Sequence, residues 1–185
     1  MKKLVIALLV LAAPLVLLGA REEEKAKHDG PTNAVAVIHG FGDSPVKGVV
    51  HFKATTDGVQ ISGQLSGLKP GKHGFHIHEF GDVSSADPKC HGGHFNPDKK
   101  KHGGPNSPNR HVGDLGNIKA NGRGVAEIHM VDKQIALSGR HNIIGRAVIL
   151  HAKADDLKTD PAGNAGDRIA GGVVGIANPM AMHAK

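Results

Sequence analysis

Short runs of alternating apolar and polar residues recur along most of this chain. In one of the clearest, Val59, Ile61 and Leu65 alternate with Gln60, Ser62 and Gln64, and residues 126–130 follow the same rule. A period of two places alternate side chains on one face of an extended strand, which is typical of half-buried β-strands. Similar segments cover residues 34–38, 47–55, 72–79, 115–120, 147–153 and 172–177. The pattern therefore predicts about eight strands.

Helical periodicity is missing from the same region. After residue 30 no apolar stripe recurs at helical spacing, and Gly, Pro, Asn and Asp are spread throughout. These features predict an all-β domain, either a sandwich or a closed barrel. Two connections, 80–114 and 155–171, are unusually long for such a domain. Long ordered loops in a small β-domain are usually functional.

The ends of the chain have a different character. Lys2 and Lys3 precede an apolar run over residues 4–19, and a charged stretch follows. This layout predicts a secretory signal peptide at residues 1–20, with an uncleaved anchor as the alternative. We expect a flexible linker at 21–32, a folded domain at 33–177 and a tail at 178–185. The domain is expected to be exported, and it meets a membrane only if the first segment stays uncleaved.

Composition limits the chemistry that this domain can carry. The 185 residues include 14 His and a single Cys, so neither an intrachain disulfide nor a zinc site of several thiolates can form. Any metal must be held by imidazole and carboxylate groups. The formal charge of +6 is modest, and aromatic residues make up 3%, all of them Phe. Nucleic-acid binding normally combines basic residues with stacking aromatics, so we expect no nucleic-acid partner.

Two histidines share one predicted strand. His76 and His78 stand two residues apart, so they project from the same face at a spacing of about 6.5–7 Å. Phe75 and Ile77 alternate with them and are expected to face the core. Two such imidazoles can reach one metal ion, although an H-x-H pair taken alone is also common among surface residues.

The long loop that follows adds a second set of donors. His94, His102, His111 and Asp114 stand among several glycines that let the loop fold tightly. Three imidazoles and one carboxylate are a suitable donor set for tetrahedral zinc. Further on, His151 alternates with Val148 and Leu150 and so also faces away from the core.

Ordered blocks of this sequence closely resemble copper/zinc superoxide dismutase. The blocks are GFHIHEFGD at 74–82, GHFNP at 93–97, HGGP at 102–105, RHVGDLGN at 110–117, Gly145-Arg146 followed by His151, and GNAGDR at 163–168. They span essentially the whole predicted domain. The resemblance implies an eight-stranded Greek-key β-barrel whose two long loops are functional.

The resemblance also implies an activity and a set of site residues. The family converts superoxide to oxygen and hydrogen peroxide by one-electron cycling of copper, while zinc has a structural and tuning role. The implied copper ligands are His76, His78, His94 and His151, and the implied zinc ligands are His94, His102, His111 and Asp114. His94 would bridge both ions and supply a proton. Asp155 would accept hydrogen bonds from His76 and His102, and Arg168 would attract the superoxide anion. The alternative is a non-catalytic exported module that binds or delivers copper.

Some features depart from the family pattern. Most members have a disulfide, but its positions are occupied here by Val83 and Gly171, and Cys90 has no partner in the chain. We expect stability to depend on metal and not on reductant. The short loop at 155–163 resembles the bacterial exported type, which implies a periplasmic or extracellular location. Homodimers are common in the family, so the resemblance leaves a homodimer open as an alternative to a monomer.

Overall fold

The structure, a computed structural model, describes residues 30–178. The predicted signal peptide, most of the predicted linker and all but the first residue of the predicted tail lie outside the described residues. Within residues 30–178, none of the helices has the length and apolar character that crossing a membrane requires.

The described residues form an antiparallel β-structure with one four-residue helix. The elements are β1 (Asn33–Gly40), β2 (Lys47–Thr55), β3 (Gly58–Ser66), β4 (Gly71–His78), α1 (Pro88–His91), β5 (Asp114–Ala120), β6 (Ala126–Asp132), β7 (Ala147–His151), β8 (Arg168–Val173) and β9 (Gly175–Ile176). The all-β class and the eight main strands are confirmed.

Eight strands follow one another in the order β5-β4-β7-β8-β1-β2-β3-β6, and β9 pairs with β1. All pairings between these strands are antiparallel. A tight turn in which the Asn121 amide donates to the Val125 carbonyl at 2.8 Å joins the end strands β5 and β6. The sheet therefore curls into a nearly closed barrel, and the β3–β6 and β4–β7 pairings are crossovers of the Greek-key kind.

The last predicted strand, at residues 172–177, differs from the observed strands in its bounds. The pattern indicated one strand at 172–177, whereas β8 begins at Arg168 and a break at Val174 separates it from β9. The Val174 amide donates to the Arg146 carbonyl at 2.9 Å, and the Gly145 amide donates to the Val174 carbonyl at 2.8 Å. These bonds join Val174 to the connection before β7, so the strand cannot continue through it.

The central strand β4 separates the core from the candidate site. Phe75 and Ile77 are buried in the apolar interior of the barrel, whereas His76 and His78 project from the opposite face. This second face is buried as well, because the connections before β5 and before β8 fold over it. Gly113 permits the close approach of the first connection, since a Cβ there would lie 2.2 Å from the Ile77 carbonyl oxygen.

Candidate metal centre

Four buried histidines form the first group of donors on the outer face of the barrel. Their potential ligand atoms lie within 4.8 Å of one another, and the members are His76, His78, His94 and His151. The strands β4 and β7 supply three of them, and the first long connection supplies His94. The rings of His76 and His78 are 6.5 Å apart between centroids, which matches the spacing expected from the sequence.

Hydrogen bonds to one nitrogen of each ring leave the other nitrogen as a lone-pair donor. The acceptors that fix the rings are Asp155 Oδ2 for His76 Nε2 at 2.8 Å, the Gly92 carbonyl for His78 Nδ1 at 3.1 Å, and the Gly166 carbonyl for His151 Nδ1 at 3.0 Å. Because oxygen acceptors require N–H donors, His76 Nδ1, His78 Nε2 and His151 Nε2 remain unprotonated in the neutral rings. His78 Nε2 and His151 Nε2 face each other at 3.4 Å. This arrangement suits a shared cation.

The second group surrounds the carboxylate of Asp114. Its Oδ1 atom lies near three imidazole nitrogens: His94 Nδ1 at 2.7 Å, His102 Nδ1 at 3.1 Å and His111 Nδ1 at 3.2 Å. The His102 contact lacks hydrogen-bond geometry, so that buried nitrogen has no hydrogen-bond partner. The other carboxylate oxygen accepts the amides of Gly103 and His111, each at 3.0 Å. Asp114 is therefore fixed with Oδ1 aimed at the imidazoles.

His94 belongs to both groups. Its Nδ1 atom lies in the second group beside Asp114, whereas its buried Nε2 atom has no hydrogen-bond partner. The His94 ring centroid is 4.0 Å from that of His76 and 5.3 Å from that of His102. One imidazole thus presents one nitrogen to each group.

Asp155 is a second link between the groups. Its Oδ2 atom accepts from His76 and its Oδ1 atom accepts from His102 Nε2 at 2.9 Å. Two reciprocal hydrogen bonds with the Asn117 side-chain amide, at 2.9 and 2.8 Å, hold the Asp155 backbone. Gly163 is required beside it, because φ is +62° and a Cβ would lie 1.8 Å from Asp155 Oδ1. The carboxylate therefore orients one ring in each group.

Burial keeps the first group neutral. Burial and the nearby His94 lower the pKa of His76 to about 3, although the hydrogen bond to Asp155 acts to raise it. Burial also lowers the pKa of His151 to about 4. The pKa values of His78 and His94 are lowered for the same main reason. These four imidazoles are therefore unprotonated near neutral pH, which is the form that binds metal.

Carboxylates change the balance in the second group. Burial lowers the pKa of His102, but the neighbouring carboxylates of Asp114 and Asp155 outweigh it and raise that pKa to about 9. Burial acts against ionised Asp114 and Asp155, yet hydrogen bonds from the histidines lower the pKa of both carboxyls. In the metal-free protein the protonated His102 therefore balances the charge of ionised Asp114, and a bound metal cation would take the place of that proton.

Arg168 begins β8 beside His151, its partner in the β7–β8 register. The guanidinium donates through Nη2 to the Gly92 carbonyl and through Nη1 to His91 Nδ1, each at 2.8 Å. Arg168 and His151 line one open cleft of about 360 Å³ together with Ala86, Ala162, Gly166 and Asp167. A fixed positive charge therefore lies at an entrance to the first group.

Two buried residues around the site, His91 and Arg110, were given no role by the sequence analysis. His91 is fully buried and contacts Arg168. Arg110 is also buried, pairs with Asp132 on β6, and donates to the carbonyls of His111, Val112 and Asp114. Their partners are distant in sequence or belong to the backbone, so no local spacing indicated them.

The structure describes Cys90 and also Val83 and Gly171, which occupy the two positions of the family disulfide. Cys90 is free, half-buried, and 3.4 Å from the hydroxyl of Ser85. At Gly171 the ring of Phe41 takes the neighbouring space, since a Cβ there would lie 2.8 Å from Phe41 Cζ. Cys90 is thus a free thiol, as the single cysteine of the sequence requires.

The fold and the site together define a class of protein: an antiparallel β-barrel in which two adjoining groups of candidate metal ligands share one histidine. The family model of copper/zinc superoxide dismutase (SODC) matches residues 46–174, inside the predicted domain. The chain belongs to the copper/zinc superoxide dismutase family.

Individual relatives support this membership. The chain is 47% identical over 154 residues to superoxide dismutase (Cu-Zn) 3 of Arabidopsis thaliana, covering 80% of this chain and 92% of that protein. It is 42% identical over 171 residues to the extracellular superoxide dismutase (Cu-Zn) of Onchocerca volvulus, with 86% and 84% covered. The crystal structure of the clock protein EA4 aligns with a TM-score of 0.73 and 47% identity over 80% of this chain and 96% of that one. These relatives lend no support to the predicted bacterial exported branch.

Proposed function

We propose that this protein converts superoxide to oxygen and hydrogen peroxide, with copper in the first histidine group and zinc in the second. The observation that carries the assignment is His94, whose two ring nitrogens point into different groups. Every other member of the two groups belongs to one of them only. His94 would thus supply one ligand atom to a metal ion in each group.

The donor sets support which metal goes where. Four imidazole nitrogens suit copper, and three imidazoles with one carboxylate suit zinc in a closed tetrahedral site. When bound, copper supplies one-electron redox chemistry between its two common oxidation states, which zinc cannot supply. Only the first group adjoins the open cleft that His151 and Arg168 line, and this favours the redox ion there and a structural ion in the second group.

Arg168 is proposed to bind and orient the superoxide anion. Its guanidinium keeps a positive charge at all accessible pH values and has five N–H donors, of which the loop occupies two. The remaining donors can meet a small anion in the cleft that His151 also lines. A positive charge at the entrance also raises the local concentration of anions.

His94 is proposed to hold a proton at Nε2 when that atom is not bound to metal. Its Nδ1 atom stays in the second group, so the ring keeps its place while Nε2 takes or gives the proton. Asp155 preserves the orientation of His76 and His102 on either side. Formation of hydrogen peroxide from superoxide requires two protons, and Nε2 would deliver one beside the bound substrate.

A variant of His151 tests the two assignments separately. Because His151 belongs only to the first group, His151→Ala should lose copper and superoxide consumption while keeping one zinc per chain. His129→Ala, on the exposed face of β6, is the matched control. Metal analysis after loading and dialysis gives the readout, and full copper retention in His151→Ala would contradict the assignment.

Export and self-association are further parts of the proposal. The N-terminal pattern of Lys2, Lys3 and the following apolar run supports export, and one relative is an extracellular enzyme. A homodimer is supported by the exposed apolar side chains of Phe80, Val173 and Ile176, the last of them 67% exposed. Mass spectrometry and light scattering on the secreted protein test both, because export predicts a mature N-terminus after residue 20 and a dimer predicts twice the chain mass.

A further inference from the structure

His91 is a buried imidazole outside both metal-binding groups. It is the last residue of the short helix α1 and is 0% exposed. Its ring packs between those of Phe41 and His78, whose centroids lie 5.5 and 5.7 Å away, respectively. The Phe80 amide donates to its carbonyl at 3.1 Å. The ring is therefore held firmly at the base of the loop that covers the site.

The contact with Arg168 fixes the tautomer of this ring. A guanidinium can only donate, so His91 Nδ1 must accept the Arg168 Nη1 hydrogen at 2.8 Å and its proton must lie on Nε2. That Nε2 atom is buried as well. Packing against Phe41 and His78 holds the ring in this orientation.

A second hydrogen-bond acceptor for Arg168 lies next to His91 in the chain. The Gly92 carbonyl accepts from Arg168 Nη2 at 2.8 Å and also from His78 Nδ1 at 3.1 Å. Residues 91 and 92 thus hold both terminal nitrogens of the guanidinium and one ring of the first group. A long arginine side chain otherwise keeps considerable rotamer freedom.

We propose that His91 is a positioning residue that holds the Arg168 guanidinium toward the anion cleft beside His151. This inference rests on the proposed function only in taking Arg168 as the anion-binding group. The Nδ1 acceptor and the Phe41 contact are both needed: the first sets the angle of the guanidinium, and the second keeps the imidazole from turning away.

Azide, a small anion of single negative charge, is the probe. Its dissociation constant is measured on the copper- and zinc-loaded protein from the change in the copper visible absorption. His91→Phe keeps a ring against Phe41 but removes the acceptor, and should weaken azide binding by about tenfold. His91→Asn restores an acceptor near the Nδ1 position and should stay within about threefold of wild type, while the control His129→Phe should show no change. Unchanged azide affinity in correctly metallated His91→Phe would overturn the proposal.

A second background shows whether His91 acts through the arginine. In Arg168→Leu protein, adding His91→Phe should change azide affinity by less than about twofold, because the group being positioned is gone. A tenfold loss that persists in this background would identify a merely structural effect and overturn the proposal. The superoxide assay of wild type separates the two ideas, since an inactive wild type with the predicted azide pattern refutes only the dismutase function.

The wild-type protein gives a test that needs no variant to fold. Nitrogen-15 NMR of the diamagnetic copper(I), zinc protein reports the protonation of each imidazole nitrogen. The proposal expects an unprotonated, hydrogen-bonded Nδ1 and a protonated Nε2 in His91. A proton on Nδ1 would place two donors face to face and would overturn it.

Discussion

Asp155 offers the sharpest test of how the two groups are coupled. In Asp155→Asn one carboxylate oxygen becomes an NH₂ donor while the shape is kept. Asp155 Oδ1 accepts from His102 Nε2 at 2.9 Å and from the Leu157 amide at 2.6 Å, whereas Oδ2 accepts only from His76 Nε2. The asparagine oxygen should therefore remain at the Oδ1 position, and the NH₂ group should face the N–H of His76.

The consequence differs between the metals. Loss of an outer hydrogen bond to a metal-binding histidine typically costs 10- to 100-fold in metal affinity, which corresponds to about 1.4–2.7 kcal/mol. For Asp155→Asn we expect this loss in the copper affinity of the first group, which contains His76. The second group keeps the bond to His102, so its zinc affinity should stay within about threefold of wild type. Asp155→Ala removes both bonds and should weaken both sites.

Competition titrations against a chromophoric chelator measure the two affinities separately. The control is Asp57→Asn, an exposed residue of the β2–β3 turn, which should leave both affinities unchanged. Equal copper affinity in wild type and Asp155→Asn would refute the orienting role of the carboxylate. A selective loss of zinc would show that the asparagine oxygen turns to His76 instead, although Oδ1 accepts two hydrogen bonds and Oδ2 only one.

Three further predictions concern stability. Asp132→Asn leaves the buried Arg110 charge without its partner and should lower the free energy of unfolding by about 3 kcal/mol in denaturant titrations; a change below about 1 kcal/mol would contradict that role. Cys90 is free, so reductant should leave the melting temperature of the metal-loaded monomer unchanged while a chelator lowers it strongly, and a sharp drop in reductant would be inconsistent with this. The metal-free protein should lose stability in acid, because the unfolded chain binds protons at His76 and His151 below about pH 6.5 whereas burial holds their folded pKa values at about 3 and about 4. The free energy of unfolding, measured by denaturant titration, should change by about 1.4 kcal/mol per pH unit for each ring between pH 6 and pH 4.5, and a flat profile would contradict this. The pKa of His102 is raised to about 9, so this ring changes the free energy of unfolding with pH only between about pH 6.5 and 9.

The strands of the barrel could be predicted from the sequence where one face of the strand is exposed to solvent. Residues 47–55 and 59–65 alternate because their outer side chains meet solvent, and β2 and β3 lie there. The strand β8 is different, since its segment RIAGGV is rich in glycine and lacks a clean alternation. Its start at Arg168 and the break at Val174 depend on pairing with β7 and on the bonds to residues 145 and 146, which no local pattern contains.

The candidate site, too, could be predicted from the sequence only in part. The spacing of His76 and His78 indicated a metal site only together with the donors of the long loop, and the family resemblance assigned each donor to copper or zinc. His91 and Arg110 could not be found, because their roles come from contacts with distant parts of the chain. His91 contacts Arg168, which follows it by 77 positions, and Arg110 contacts Asp132, which follows it by 22. Each looked like an ordinary polar residue of a loop. Burial and a specific partner, which only the folded chain shows, set them apart.

Superoxide consumption by the metal-loaded wild-type protein tests the central claim most directly. The rate is followed by stopped-flow or pulse radiolysis, on samples whose copper and zinc contents have been measured. Protein with one copper and one zinc per chain should consume many equivalents of superoxide per copper, and protein loaded with zinc alone should consume none catalytically. A fully metallated sample without turnover would contradict the dismutase function and favour a non-catalytic metal-binding module.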